Sequence, residues 1–155
     1  RDLRMSRGLG DVYKRQDYDR LKLLVKKVGK EHIVLDLSCK KFENEYRIVT
    51  DRWQKMTDTC VTPALLDELS GYCDEYLIHA VDVEGKCHGI ETELVRQLAQ
   101  YDGLPLTYAG GVGSFDDLAQ LKELGRSKIN VTIGSALDLF GGSMKLDEVL
   151  KFIVQ

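Results

Sequence analysis

Two glycine-bearing segments, Tyr108-Ala109-Gly110-Gly111-Val112 and Ile133-Gly134-Ser135-Ala136, stand at the ends of apolar strand-like runs, and helix-forming sequence follows each. Without a Cβ, bare backbone can approach a ligand, and the N–H groups of a following helical turn favour an anion. One such loop serves chain reversal as readily as binding. Two of them, one helical unit apart, point to a shared cup for a phosphorylated small molecule, built from Gly110, Gly111, Gly134 and Ser135. Upstream, Asp36 interrupts the apolar run His32-Ile33-Val34-Leu35-Asp36-Leu37. An ionised carboxyl there is costly unless it is paired or faces a polar cavity. Asp36 is therefore the leading candidate for proton transfer, against the alternative of a carboxylate tied to backbone donors. Asp82 and Glu84 occupy alternate positions at the end of the next strand, so both can face the same mouth. His79 precedes them, either as a hydrogen-bonding group turned towards a substrate or as a satisfied core imidazole.

His79, Asp82, Glu84, Cys87 and His88 mix nitrogen, oxygen and sulfur donors, but their spacing fits no standard metal site. Trp53, the only tryptophan, lies in a polar loop where its ring needs a partner; the plain alternative is an anchor on the rim of the fold.

These residues must be positioned by a regular succession of elements. Leu21, Leu24, Val25 and Val28 line one helix face, and Gly29 stops that helix. The run 32–37 predicts a strand buried on both faces, as in a parallel sheet. A long polar loop with one extended piece at 47–50 leads to a helix capped by Thr62 and Pro63 and carrying Leu65, Leu66 and Leu69. Strand 76–81, a helix around Leu94, Val95, Leu98 and Ala99, and strand 105–109 follow. Next come a helix opened by Ser114 with Asp117 as capping-box partner, a buried strand 129–133, and a last helix on Leu146, Val149, Leu150 and Ile153. The fold class is α/β: a helix and then four strand-helix units, half of a (βα)8 barrel of the phosphate-binding type. In such barrels the chemistry sits at the carboxyl ends of the strands, with the usual phosphate site after the seventh and eighth. The glycine loops end the last two strands, so the four are numbered five to eight, and strands one to four are expected upstream.

The bulk properties narrow the partners. A chain of 155 residues holds one core. A net charge of -3 and a pI near 5.6 give no basic face for nucleic acid. No run reaches membrane-spanning length and no leader resembles a secretory signal, so a soluble cytoplasmic protein is expected. The four cysteines, Cys39, Cys60, Cys73 and Cys87, suit reduced thiols. Asn130-Val131-Thr132 fits a glycosylation pattern but falls in the strand expected to be buried. Residues 1–16 are rich in Arg and Gly without a sustained period, and 6–16, SRGLGDVYKRQ, resemble the translation of a sequencing adapter. The leader is expected to be non-native and disordered, or else a disordered natural tail, with the half-barrel spanning 17–155.

The segments IVLDLSCKK, RWQKMTD, LIHAVDVEG, LTYAGGVGSFDDL and VTIGSALDLFGG, in that order, are similar to the histidine-biosynthesis isomerase that rearranges phosphoribosylformimino-aminoimidazole-carboxamide ribotide, in its eukaryotic-type branch. The resemblance implies an Amadori rearrangement of an aminoaldose to an aminoketose phosphate, without metal or organic cofactor. It implies Asp36 as general acid, Glu84 and His79 as contributors where many relatives carry aspartate and threonine, and Trp53 folding over the substrate. It places the general base on the first strand, so a chain beginning after the fourth strand is expected to be inactive and to self-associate through its raw sheet edges. The alternatives are the cyclase of the same pathway, a dual-specificity relative that also serves tryptophan synthesis, and a non-catalytic phosphate-binding module.

Overall fold

The computed structural model describes residues 3–5, 15–86 and 88–154. Helix α1 (Arg15–Val28) packs Leu21 into the core beside Leu24, Val25 and Val28, and Gly29, at φ 82°, closes it with its N–H on the Val25 carbonyl. Strand β2 (Ile33–Phe42) then runs into a hairpin of β3 (Glu45–Thr50) and β4 (Lys55–Cys60). Helix α2 (Pro63–Leu69) starts as the sequence predicts, with the Thr62 hydroxyl accepting from the Leu65 N–H and Pro63 in the first turn. The remaining elements are β5 (Glu75–Ala80), α3 (Thr92–Leu98), β6 (Leu106–Ala109), α4 (Phe115–Leu124), β7 (Ile129–Thr132) and α5 (Leu146–Val154).

Strands β2, β5, β6 and β7 form a parallel ladder in that order, and the β3–β4 hairpin extends the sheet antiparallel beyond β2. The short strand β1 (Leu3–Met5) pairs in parallel with Ile33, Val34 and Leu35, on the edge of β2 that β3 occupies further along. This is the architecture of a partial (βα)8 barrel: helix α1, then four βα units.

Alternation along the strands decides what the sheet does. Ile33, Leu35, Leu37 and Cys39 of β2, Tyr76, Ile78 and Ala80 of β5, and Leu106 and Tyr108 of β6 are buried among the helix residues Leu65, Leu66, Leu94, Val95, Leu98, Leu118 and Leu121. Two phenols tie layers together: the Tyr76 hydroxyl donates to the Leu66 carbonyl at 2.5 Å, and the Tyr108 hydroxyl accepts from the Glu91 N–H at 2.9 Å. On the other face Val34, Asp36, Ser38, Leu77, His79 and Thr107 are only half-buried.

Several expectations are corrected. The strands are buried on one face, not both, because among the described residues nothing packs across the second face. Asn130 lies in a strand but is exposed, since β7 pairs only with β6. The polar stretch 55–60 forms a strand that its composition does not announce, held by pairing to β3. Of the leader, residues 3–5 form β1 and helix α1 begins at Arg15, ahead of the boundary at 17, while residues 1–2 and 6–14, on which the expectation of a disordered leader also falls, lie outside the described residues. The predicted stripe of α5 is buried only at Val149, leaving Leu150 and Ile153 half-exposed.

This asymmetry sets a test of the core. Leu37→Ala, which empties a fully buried site, is expected to cost about 2–5 kcal/mol in urea unfolding, whereas Leu150→Ala should stay within about 0.5 kcal/mol.

Candidate active site

The ladder's register lines up the half-buried face in rows. Asp36, Leu77, Thr107 and Asn130 are successive neighbours across β2, β5, β6 and β7, and Ser38, His79, Ala109 and Thr132 form the next row towards the carboxyl ends. Side chains two apart on a strand share a face, so the acid Asp36 and the imidazole His79 point to the same side. A cleft of about 190 Å³ opens there. Asp36, His79, Glu84, Gly110, Gly111, Gly134 and Ser135 all line it, together with Leu77 and Thr132.

Strand β5 ends at Ala80, and Val81–Val83 turn as a single 3-10 turn, which brings Glu84 back over the strand end. Its Oε2 lies 2.9 Å from His79 Nε2, an ion-pair distance without an aligned N–H···O bond. The pair is partly open to solvent, which screens it and keeps its worth small. Asp82, expected beside Glu84 at the mouth, turns instead to β2, where its carboxylate accepts from the Lys41 N–H at 2.8 Å. The strand does not persist that far, so alternation cannot carry Asp82 to the mouth. Cys39 faces the helix side, where burial, followed by the charges of Asp82 and Glu91, pushes its thiol well above the ordinary range. Burial likewise raises the Tyr108 phenol. Neither is an ionisable partner for the cleft. Among the described residues no His, Cys, Asp or Glu cluster is arranged to hold a metal; Cys87 lies outside them.

The glycines of the two loops have different reasons to be glycine. Gly110 (φ 124°) and Gly111 (φ 76°) are both left-handed, and a Cβ at Gly110 would stand 2.6 Å from the Ala80 carbonyl oxygen. A Cβ at Gly111 would fall inside the carbonyl oxygen of Gly89, whose own N–H donates back to the Gly111 carbonyl at 3.1 Å. Gly134 has ordinary φ and nothing within 4 Å of a built Cβ. Its bareness serves the open cleft, not the packing. After Gly113, helix α4 starts with a reciprocal cap: the Ser114 hydroxyl accepts from the Asp117 N–H, and the Asp117 carboxylate accepts from the Gly113 N–H, one residue before the expected partner. The second loop opens into one 3-10 turn, Asp138–Phe140, and α5 follows only at Leu146, so the helix expected directly after it is a short extra turn.

Trp53 does not line the cleft but stands beside it, in the turn between β3 and β4. Its indole N–H donates to Ser38 Oγ at 3.2 Å, and its ring meets His79 edge-on at 5.3 Å. Asp51, Arg52 and Trp53 are three consecutive left-handed residues, at φ 51°, 55° and 69°. Together they cost roughly 3 kcal/mol or more; the hydrogen bond returns about 1 kcal/mol, the ring contact about 0.5–1.5 kcal/mol, and the buried part of Trp53 and the Gln54 N–H on the Asp51 carbonyl at 3.2 Å add to these. The turn is close to balance. Sequence reasoning missed Ser38; the available signal was its place two residues beyond Asp36, on the same face.

The chain matches the family described as Histidine biosynthesis protein over residues 12–144. It belongs to that family. Within the Histidine biosynthesis protein family it is 50% identical over 134 residues to a chloroplastic 1-(5-phosphoribosyl)-5-((5-phosphoribosylamino)methylideneamino)imidazole-4-carboxamide isomerase of Medicago truncatula, covering 86% of this chain and 43% of that protein. Proteins of the same isomerase name from Yarrowia lipolytica and Saccharomyces cerevisiae are 48% and 45% identical, over 74% and 81% of this chain and 45% and 50% of theirs. The chain therefore spans about half the length of the curated relatives it matches. The resemblance read from the strand-end motifs is borne out by these matches.

The glycine geometry separates packing from binding. Gly111→Ala is expected to cost about 2 kcal/mol or more in denaturant unfolding through the clash with Gly89 and the left-handed φ, whereas Gly134→Ala should change stability by less than about 0.5 kcal/mol.

Proposed function

We propose that this chain supplies the carboxyl-terminal half of an isomerase of histidine biosynthesis that converts a phosphoribosyl aminoaldose into the corresponding aminoketose. The observation that carries this reading is the single cleft in which Asp36 faces both glycine loops at the strand ends. The relatives' names describe a substrate with two phosphoribosyl groups, which accords with a phosphate seated on the bare backbone of Gly110, Gly111 and Gly134 and on the Ser135 hydroxyl. Asp36 then serves as general acid, protonating the ring oxygen so that the ribose opens, before a base removes the proton from the neighbouring carbon. His79 and Glu84 hold the substrate's polar groups from the next strand. Trp53 offers an aromatic face to the planar imidazole-carboxamide and helps keep water from the opened sugar. No metal or organic cofactor takes part in these steps.

A soluble setting is part of this proposal: among the described residues no helix is long and apolar enough to cross a membrane. The chloroplastic Medicago relative makes an organelle as fitting a compartment as the cytoplasm. The open edge of β7, flanked by exposed Leu139, Phe140, Leu150, Ile153 and Val154, supports the further proposal that the chain alone self-associates.

The reading is tested by fusing residues 17–155 to the first half of the Medicago relative and assaying isomerisation of the ribotide. The fusion should turn over, and Asp36→Asn in it should lower kcat by about 10²–10⁴-fold with the fold intact. Residues 17–155 alone should give no turnover, because the resemblance puts the base on a strand they do not hold. A folded fusion that binds phosphate and never turns over would leave only the binding module. Light scattering on the isolated chain should find species larger than the 17.5 kDa monomer.

A further inference from the structure

The turn beyond the paired Thr50 and Lys55 reaches the face of the cleft through Trp53. Ser38 sits next to His79 in the β2–β5 register, on the face that holds the cleft, and its Oγ accepts from the Trp53 indole N–H at 3.2 Å. We propose that Ser38 is the latch that holds the Trp53 turn beside the cleft, a positioning residue on which the closed state of that turn depends.

Three observations converge on Ser38. The turn consists of three successive non-glycine residues in the left-handed region, a conformation that L side chains resist and that relaxes if the loop swings away. Trp53 is 39% exposed, so burial holds its ring only in part. Its ring also meets His79 edge-on at 5.3 Å. An indole nitrogen can only donate, so without the Ser38 oxygen its N–H turns to water and the balance moves towards relief of the strain. Strain and contacts are of similar size, and removal of one hydrogen bond then moves the population between closed and open turns instead of merely weakening a fixed structure. Through the Trp53–His79 contact, the latch also biases the ring that stands 2.9 Å from Glu84. The proposal holds for any ligand that must pass Trp53 and does not require the isomerase reading.

Trp53 is the only tryptophan, so the intrinsic fluorescence of the whole 155-residue chain reports on this turn alone. Ser38→Ala should shift the emission to the red, raise acrylamide quenching and lower the closed-to-open ratio about fivefold, with the far-ultraviolet dichroism unchanged. Ser38→Thr, which keeps the hydroxyl, should retain the parent emission and quenching. Asp51→Gly, which relieves the left-handed strain, should move both readings the opposite way, towards a more protected indole. Parent-like emission and quenching in folded Ser38→Ala would overturn the latch, and so would Ser38→Thr behaving as Ser38→Ala does. Should Ser38→Ala fail to fold, Asp51→Gly decides: greater protection supports the balance of strain and latch, and no change refutes it.

Discussion

The strict two-residue alternation of a parallel ladder is the constraint on which this molecule rests. Ile33, Leu35 and Leu37, Tyr76 and Ile78, and Leu106 and Tyr108 must all meet the helices at once. A one-residue slip would turn these side chains out and bring Asp36 of β2, His79 of β5 or Thr107 of β6 towards the core. The register that buries them thereby delivers Asp36 and His79 to the opposite face, in adjacent rows. The site is the complement of the core, and the helices secure it without touching it.

Around that fixed floor the strand-end loops divide into rigid and yielding parts. The rigid parts are held by backbone: left-handed glycines against neighbouring carbonyls, the reciprocal cap of α4, and the Asp82 carboxylate on the Lys41 N–H. Each bond fixes main chain, which is the part of a loop that meets an anion. The yielding part is the β3–β4 turn, where three left-handed residues are offset by a hydrogen bond and a ring contact. Under the proposed function, backbone held in place beside an adjustable wall suits a ligand whose phosphate is anchored while its other end changes shape.

Much of this was legible in the sequence because the signals were local. Helical spacing located α1, Thr62 with Pro63 located α2, and Ser114 with Asp117 located α4, since caps and faces depend on near neighbours alone. The glycine loops and Asp36 stood out for the same reason. What failed depended on partners distant in sequence. Lys55–Cys60 is polar and becomes a strand only through β3. Asn130 is exposed because of what lies beside β7, and Leu150 because of what lies beside α5, neither of which local composition encodes. Asp82 followed a turn that alternation could not foresee, and Ser38 gained its meaning from an indole fifteen residues away.

The interlock of Gly89 with Gly111 bears on how such a protein can vary. The N–H of one meets the carbonyl of the other, and a side chain on Gly111 would displace the Gly89 carbonyl, so the loops after β5 and β6 share one surface with no slack. A change in the backbone of one is felt by the other. For loop grafting, the two behave as a single unit that is moved together.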